Sequence, residues 1–430
     1  MQHTLLFLQP GHFHAALLVK SANERIAQDL HVYATAGDEC DAFVALIDAF
    51  NSRDDSPTDW KVHVHDAPSA ADALDALIEQ RCGQAVVLSG RNDSKLSDIA
   101  RLHAQGFWVI ADKPWVTDEQ SATGLEQACS GEPLAMDIMP DRHEFLARLR
   151  KHVVDNRELF GEFVTGDPQG PAIELSSTHH LYKIVNGQPL RRPAWYYDVS
   201  IQGDGIVDGH SHLTDQAQWL VGASQIYDFD ADVQIDSARR WATPVPLELF
   251  RDSTGLEQWP DSLRPQIRDD VLHYACNGEI RYRLCGINVR QYADWGQREP
   301  VGGGDLHGAV LRGSRAVLRV DHGEHTNFVP EVSLQPRDGI DLGEELKQAV
   351  DEWQSAFPGL AVEPVANGYR FVAPDALHST HESHFAGQLG KFLDHMDSGR
   401  WPIDLQARIH TRHRLLTEAL ALANQESTTA

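Results

Sequence analysis

The stretch AVVLSGRNDSKLSDIARLHAQGFWVIADKPW, residues 85–115, decides the fold. Ala85–Ser89 and Trp108–Ala111 are short, uniformly apolar runs. Between them, Lys95–Gln105 repeats apolar residues at helical spacing. Two such strands joined by one helix form a parallel βαβ unit, because a strand buried on both faces has no polar side to alternate. Ser89 and Asn92 follow the first strand; Asp112, Lys113 and Pro114 follow the second. Those positions stand at the carboxyl edge of a parallel sheet, where ligands bind. Pro114 fixes the turn that aims Lys113.

The same alternation runs back to the N-terminus. Strands are expected at Thr4–Leu8, Leu30–Ala34 and Lys61–Val64, and helices at His14–Ala27, Asp41–Phe50 and Ser69–Gln80. A helix at Asp118–Cys129 and a strand at Leu134–Ile138 complete the series. The reading is a doubly wound parallel sheet of the dinucleotide-binding (Rossmann) class over residues 1–140. Asp141–Asn156 reads as a connecting helix. Beyond it the pattern changes to strands with longer loops: Ala172–Ser177, Gln225–Ile235, Val271–Ala275, Glu279–Cys285, Arg315–His322, Glu331–Leu334 and Gly368–Ala373. Helices at His381–Met396 and Leu405–Ala423 close the chain. The expectation is α/β throughout, with a second domain over 141–424 built on a large open, mostly antiparallel sheet, and a frayed tail over 425–430.

The chain has 430 residues, of which 42% are hydrophobic and 23% charged, a globular balance that defaults to two domains. The net charge of −26 argues against nucleic acid and anionic membrane as partners. Five scattered cysteines without a CxxC pair fit a reduced, cytoplasmic setting. The N-terminus carries no basic n-region and no small-residue cleavage site, and no apolar run is long enough to span a bilayer.

Two further stretches carry chemistry. Gly203-Asp204-Gly205-Ile206-Val207-Asp208-Gly209-His210-Ser211-His212-Leu213-Thr214-Asp215 places Asp208, His212 and Asp215 four and three residues apart, on one face of a helix that Gly222 is placed to end with a left-handed cap. His210 falls off that face. Polar groups on a packed helix need partners. The turn Gln9-Pro10-Gly11-His12-Phe13-His14 keeps one glycine of G-x-G-x-x-G, so Gly11, His12 and Phe13 are the candidates for a nucleotide turn. Asp38 is the acid available for ribose hydroxyls, and NAD is favoured over NADP because no arginine stands at the end of that strand for a 2′-phosphate. Between residues 178 and 198, His180, Lys183, Arg192, Trp195 and Asp198 offer donors and aromatic faces suited to a carbohydrate. Three histidine groups have ligand-like spacing: His378, His381 and His384; His210 and His212; His12 and His14. None is joined by an H-E-x-x-H pattern, and no metal is expected.

The chain resembles the Gfo/Idh/MocA family of sugar and polyol oxidoreductases. Gly106 to Pro114 matches its A-G-x-x-V-x-x-E-K-P pattern with Asp112 in place of Glu, Gly203 to Asp215 matches G-G-G-x-x-D-x-x-x-H-x-x-D, and Asn92 and Arg142 match single family positions. Pro10–Leu17, Arg192–Asp198, Gly304–His307 and His381–Phe385 resemble a divergent branch with its own C-terminal domain. The resemblance implies Lys113, Asp208 and His212 as the catalytic set, with Ser89, Asn92, Asp112 and Lys113 beside the cofactor. It also implies a homodimer or homotetramer. His212 suits a base for a hydroxyl proton, and Lys113 suits a developing alkoxide. Asp215 reads as support. Three functions remain open: net oxidation of a carbohydrate or polyol, glycoside cleavage by transient oxidation and elimination, and non-catalytic sensing of a sugar or nucleotide.

Overall fold

The computed structural model describes residues 2–129, 135–185, 188–378 and 381–429, without the side chains of 126, 127, 185, 381 and 426–429. The chain divides into two compact units. One comprises Met1–Asp141, Pro193–Gly203 and Thr380–Thr417; the other comprises Arg142–Arg192, Asp204–Ser379 and Glu418–Ala430. The expected boundary near residue 140 is the first crossing, and two later segments return to the first unit.

The first unit contains β1 (Leu5–Leu8), α1 (His14–Leu17), β2 (Asp29–Thr35), α2 (Asp38–Asn51), β3 (Lys61–Ala67), α3 (Ala70–Gln80), β4 (Ala85–Leu88), α4 (Lys95–Ala104), β5 (Trp108–Asp112), α5 (Leu125–Cys129) and β6 (Ala135–Ile138). Its strands pair in parallel in the order β3-β2-β1-β4-β5-β6. The order reverses at β1/β4, which opens a crevice at the carboxyl ends there. β1, β4 and β6 are buried along their whole length, which is why they read as unbroken apolar runs.

Two expected helices are shorter than their patterns. The first ends at Leu17 rather than Ala27: further on, the Asn23 side chain accepts from the Arg25 amide and turns the backbone. The helix expected from Asp118 begins at Leu125, because Ser121 Oγ accepts from the Thr117 and Asp118 amides and Asp118 Oδ1 accepts from the Ser121 amide. Leu134 lies outside the described residues.

In the second unit come α6 (Phe145–Asp155), β7 (Ile173–Tyr182) and the short pair β8 (Ile184–Val185) and β9 (Gln188–Pro189). After α7 (Val199–Gln202), which belongs to the first unit, follow α8 (Gly205–Asp208), α9 (His210–Val221), α10 (Phe229–Asp232), β10 (Val233–Pro246), α11 (Leu247–Thr254), β11 (Ile267–Arg268), β12 (Val271–Leu284), β13 (Ile287–Arg298), β14 (Leu306–Arg312), β15 (Ala316–Asp321), β16 (Glu331–Pro336), α12 (Gly343–Glu352), β17 (Ala361–Val365) and β18 (Gly368–Val372). The main sheet runs β10-β12-β13-β7-β14-β15-β16-β18-β17, with β11 paired to β12. Its pairs are antiparallel apart from β13 with β7.

The strands expected at Val271–Ala275 and Glu279–Cys285 are one, because β12 runs straight through Asn277 and Gly278. Asn277 Nδ2 donates to Trp241 O and Thr243 Oγ1, and its Oδ1 accepts from the Trp295 amide, so neighbouring strands satisfy the side chain that would otherwise cap a turn. The strand expected at Gln225–Ile235 instead starts at Val233, after the helical turn α10.

The closing helices are α13 (His381–Ser398) and α14 (Ile403–Thr429). Phe385, Leu389, Phe392, Leu393, Leu405 and Ile409 join the same core as the parallel strands, and α13 packs on α1 and β6. The expected frayed tail starts inside α14, which continues to Thr429. Arg412 on α14 forms an ion pair with Asp137 on β6, and both are buried. Removing one partner strands the other charge out of water. Asp137→Ala is therefore expected to lower the stability of this unit by about 3–5 kcal/mol, read as a shift of the denaturant midpoint.

Candidate functional site

The carboxyl edge of the parallel sheet is organised around Asp112. Its Oδ2 accepts from Ser89 Oγ at 3.0 Å and meets His14 Nδ1 at 2.9 Å and His12 Nδ1 at 3.4 Å. Its Oδ1 accepts from the Lys113 amide at 2.9 Å. Burial alone would raise this carboxyl, but His14 and His12 outweigh it and hold it well below the usual carboxylate range. Lys95, buried at the start of α4, donates from Nζ to Asp112 O at 2.9 Å and to Asn92 Oδ1. Asn92 Nδ2 donates to Gln202 O at 2.8 Å. Ser89, Asn92 and Asp112 are thus turned toward one another in a buried polar network. The bond from Lys113 to Pro114 is cis. The ligand atoms of His12, His14 and Asp112 lie within 4.8 Å of one another, a donor set able to hold a cation.

Beside this network lies a cleft of about 750 Å³ whose lining includes Gln9, Gly37, Asp38, Glu39, Gly90 and Ser94. It touches the ends of β1, β2 and β4. Gly90 has no room for a side chain: a Cβ would stand 2.2 Å from Gln9 O. His12 N donates to Ser89 O at 3.0 Å, drawing the turn after β1 onto the end of β4. At Gly11 a Cβ would stand 2.2 Å from Glu39 Oε2 and 3.6 Å from Trp195 Cζ2. Burial raises the Glu39 pKa against the pull of Arg91. Phe13 turns back against the core.

Glu39 and Lys95 are the residues that sequence reasoning missed here. Glu39 follows Asp38 in the first turn of α2, where an acid reads as ordinary helix-start charge. Lys95 reads as a solvated helix start. Arg91 and Arg101 also line the cleft, which corrects the expectation that no arginine stands near this strand end. Arg101 Nη2 meets Asp75 Oδ1 at 2.5 Å and Arg91 Nε meets Asp93 Oδ1 at 4.0 Å.

In the second unit, α8 and α9 carry Asp208, His212 and Asp215. Gly209 between them keeps right-handed helical angles (φ −65°, ψ −36°), so the three residues share one face as expected. The helix lies directly on the sheet. A Cβ on Gly205 would stand 2.1 Å from Cys276 C and 2.4 Å from Asn277 N. Asp204 caps α8 through the Ile206 amide at 3.0 Å and pairs with Arg240 Nη1 at 2.7 Å, which is what an acid does in place of the middle glycine. Asp215 is gripped by Arg142, Nε to Oδ2 at 2.6 Å and Nη2 to Oδ1 at 2.7 Å, so it is a structural partner. Gly222 is extended (φ −166°), not left-handed as expected.

The residues expected to bind substrate fall into two sets. Lys183 Nζ donates to Asp305 Oδ2 at 2.6 Å, His179 Nδ1 stands 3.1 Å from the same oxygen, and His180 Nδ1 stands 3.9 Å from Oδ1. Burial would raise Asp305, but His179 and Lys183 outweigh it and hold it well below the usual range. The register Leu306↔Thr178 between β14 and β7 brings Asp305 there. Arg192 is committed to backbone: Nε donates to Leu181 O at 2.9 Å and Nη2 to His180 O at 3.1 Å. Trp195 and Asp198 belong to the first unit. Trp195 stands by Gly11, and Asp198 caps α7 through the Ser200 amide and hydroxyl. Of the C-terminal histidines, His378 meets Phe145 (5.3 Å between ring centroids), His384 is buried, and the side chain of His381 lies outside the described residues.

The family model described as "Putative oxidoreductase C terminal domain" matches residues 149–424. A crystal structure of a "putative oxidoreductase" from Parabacteroides merdae is 33% identical, covers 99% of this chain and 98% of its own, and superposes with a TM-score of 0.94. The chain belongs to the Gfo/Idh/MocA oxidoreductases. Two more distant members share the fold. One is a "putative myo-inositol dehydrogenase" from Sinorhizobium meliloti (13% identity, 99% and 98% coverage, TM-score 0.55). The other is a 3-ketoreductase from Actinomadura kijaniata, in complex with TDP-benzene and NADP (14% identity, 98% coverage of both chains, TM-score 0.58). No curated protein sequence matches the chain. Among the described residues, no helix is long and apolar enough to cross a membrane.

In this Gfo/Idh/MocA chain the seat of the α8–α9 helix is testable. Gly205→Ala forces that helix off β12, with an expected loss of about 1–3 kcal/mol in stability by chemical denaturation. His210 supplies a pH signature. Its ring packs on Gly278, where a Cβ would stand 3.0 Å from Nε2, and burial pushes its pKa down to about 4. The unfolded chain binds this proton near pH 6.5 and the folded one does not. Its contribution is complete above pH 6.5 and is lost as pH falls toward 4, up to about 3 kcal/mol. His210→Asn is expected to flatten that part of the stability–pH profile.

Proposed function

We propose that this chain is an NAD(P)-dependent oxidoreductase acting on a hydroxyl of a sugar, sugar acid or polyol. The observation that carries the reading is the cleft at the carboxyl ends of β1, β2 and β4, in a sheet of Rossmann order. Its residues fit a dinucleotide. Gly37 has open space around it, Gly90 permits the close crossing of the two strand-end loops, and Asp38 and Glu39 present carboxylates to ribose hydroxyls. The cleft arginines each stand by an aspartate, and two lining carboxylates repel a 2′-phosphate. NAD is therefore the preferred form.

A bound nicotinamide supplies the hydride acceptor. His212 takes the proton of the substrate hydroxyl, since neutral imidazole is a base near pH 7. Lys113 stabilises negative charge on that oxygen. Asp208, one turn before His212, holds a substrate hydroxyl. The pairing of His179 and Lys183 with Asp305 gives the second unit a polar group suited to other hydroxyls of a carbohydrate.

The test is nucleotide titration followed by a carbohydrate and polyol panel monitored at the NADH absorbance. Tighter binding of NAD than of NADP and substrate-dependent reduction are expected. Lys113→Ala and His212→Asn are each expected to lower kcat by about 10²–10⁴. Failure to bind either nucleotide overturns the reading, and full turnover by Lys113→Ala overturns the catalytic assignment.

A further inference from the structure

The outer edge of the parallel sheet carries a second cluster, away from the cleft. β2 and β3 pair in a register that sets His31 beside His63 and Tyr33 beside His65. Alternate residues of a strand share a face, so three histidines project from one patch of the sheet. His31 Nδ1 lies 3.0 Å from His65 Nε2. The His65 ring stacks on Tyr33 at 4.3 Å, and His31 stacks on His63 at 5.0 Å. His63 is tied in turn to Asp29 Oδ1 at 2.6 Å. A cysteine joins them from another segment: α3 ends at Gln80, Arg81 turns left-handed (φ 47°), and Cys82 arrives where Tyr33 OH donates to its Sγ at 3.4 Å. The ligand atoms of His31, His65 and Cys82 all lie within 4.8 Å of one another.

We propose that His31, His65 and Cys82 form a binding site for a borderline-soft divalent cation, zinc before others, that clamps the edge strand β3 to β2 and to the turn between α3 and β4. Two imidazoles and a thiolate suit zinc, and the group includes no carboxylate to favour magnesium or calcium. Zn–N distances of about 2.0–2.1 Å put tetrahedral nitrogens about 3.4 Å apart, so the two rings need to open by only a few tenths of an ångström. Burial lowers the pKa of both rings, assisted at His31 by His63 and His65, which keeps them neutral and able to coordinate. Cys82 releases its thiol proton to solvent as the S–metal bond forms. The Tyr33 phenol then donates to the thiolate and fixes it from outside the coordination shell. Three protein ligands leave the fourth position to water, since Cys82 is exposed. The clamp holds a strand whose outer edge has no partner strand among the described residues.

The test uses the full chain, stripped with chelator and titrated with Co²⁺. A tetrahedral ligand-field spectrum with a thiolate-to-cobalt charge-transfer band is expected, displaced by Zn²⁺ at one equivalent. Cys82→Ser, at an exposed position, is expected to keep the circular dichroism spectrum of the parent, lose the charge-transfer band and bind Zn²⁺ at least tenfold more weakly. His65→Ala is expected to weaken binding similarly. Zinc is expected to raise the melting temperature of the parent but not of Cys82→Ser. A weak octahedral spectrum alone, or a charge-transfer band that survives in Cys82→Ser, overturns the proposal. None of these readouts depends on nucleotide binding or turnover, so they are independent of the oxidoreductase reading.

Discussion

A single carboxylate, that of Asp112, ties the working edge of the parallel sheet together. It ends β5, yet its oxygens gather Ser89 from the end of β4, His12 and His14 from the turn after β1, and the amide of Lys113. A buried carboxylate left alone would take up a proton or reject the fold. Two imidazoles resolve that cost here and keep it ionised. The arrangement constrains its neighbours. Asp112 holds the amide that starts Lys113, and through His14 it holds the turn after β1 as well. The sparse glycine turn then makes sense: the loop is held by side chains rather than shaped by glycine freedom.

The second unit solves the corresponding problem with backbone contact. Gly205 lets α8 rest on the main chain of β12, and Gly278 makes room for Ile206 from the other side. Asp204 and Arg240 anchor the start of the helix, and Arg142 grips Asp215 further along it. Both ends of the Asp208–His212 turn are thus held by ion pairs. Charged groups that must meet substrate gain from such support, because lost side-chain and backbone freedom need not be supplied at binding.

The parallel sheet was legible because strands covered on both faces are uniformly apolar, so Ala85–Leu88 and Trp108–Asp112 announce themselves. The spacing of Asp208, His212 and Asp215 was legible because a helix repeats regardless of what it packs on. Three kinds of information were not local. β13 carries a polar residue inward, Gln291 bonding Tyr282 OH and Thr214, so its pattern does not alternate cleanly. The Asn277-Gly278 pair takes its conformation from strands β10 and β13. Asp305 and Lys183 lie 122 positions apart, and only the β7–β14 register joins them.

That dependence on register explains why two segments distant in sequence belong together. The Thr178–Lys183 run and the Gly304–His307 run each look like loop chemistry. Paired as β7 and β14, they become one polar cluster in which a half-buried carboxylate meets a lysine and a histidine.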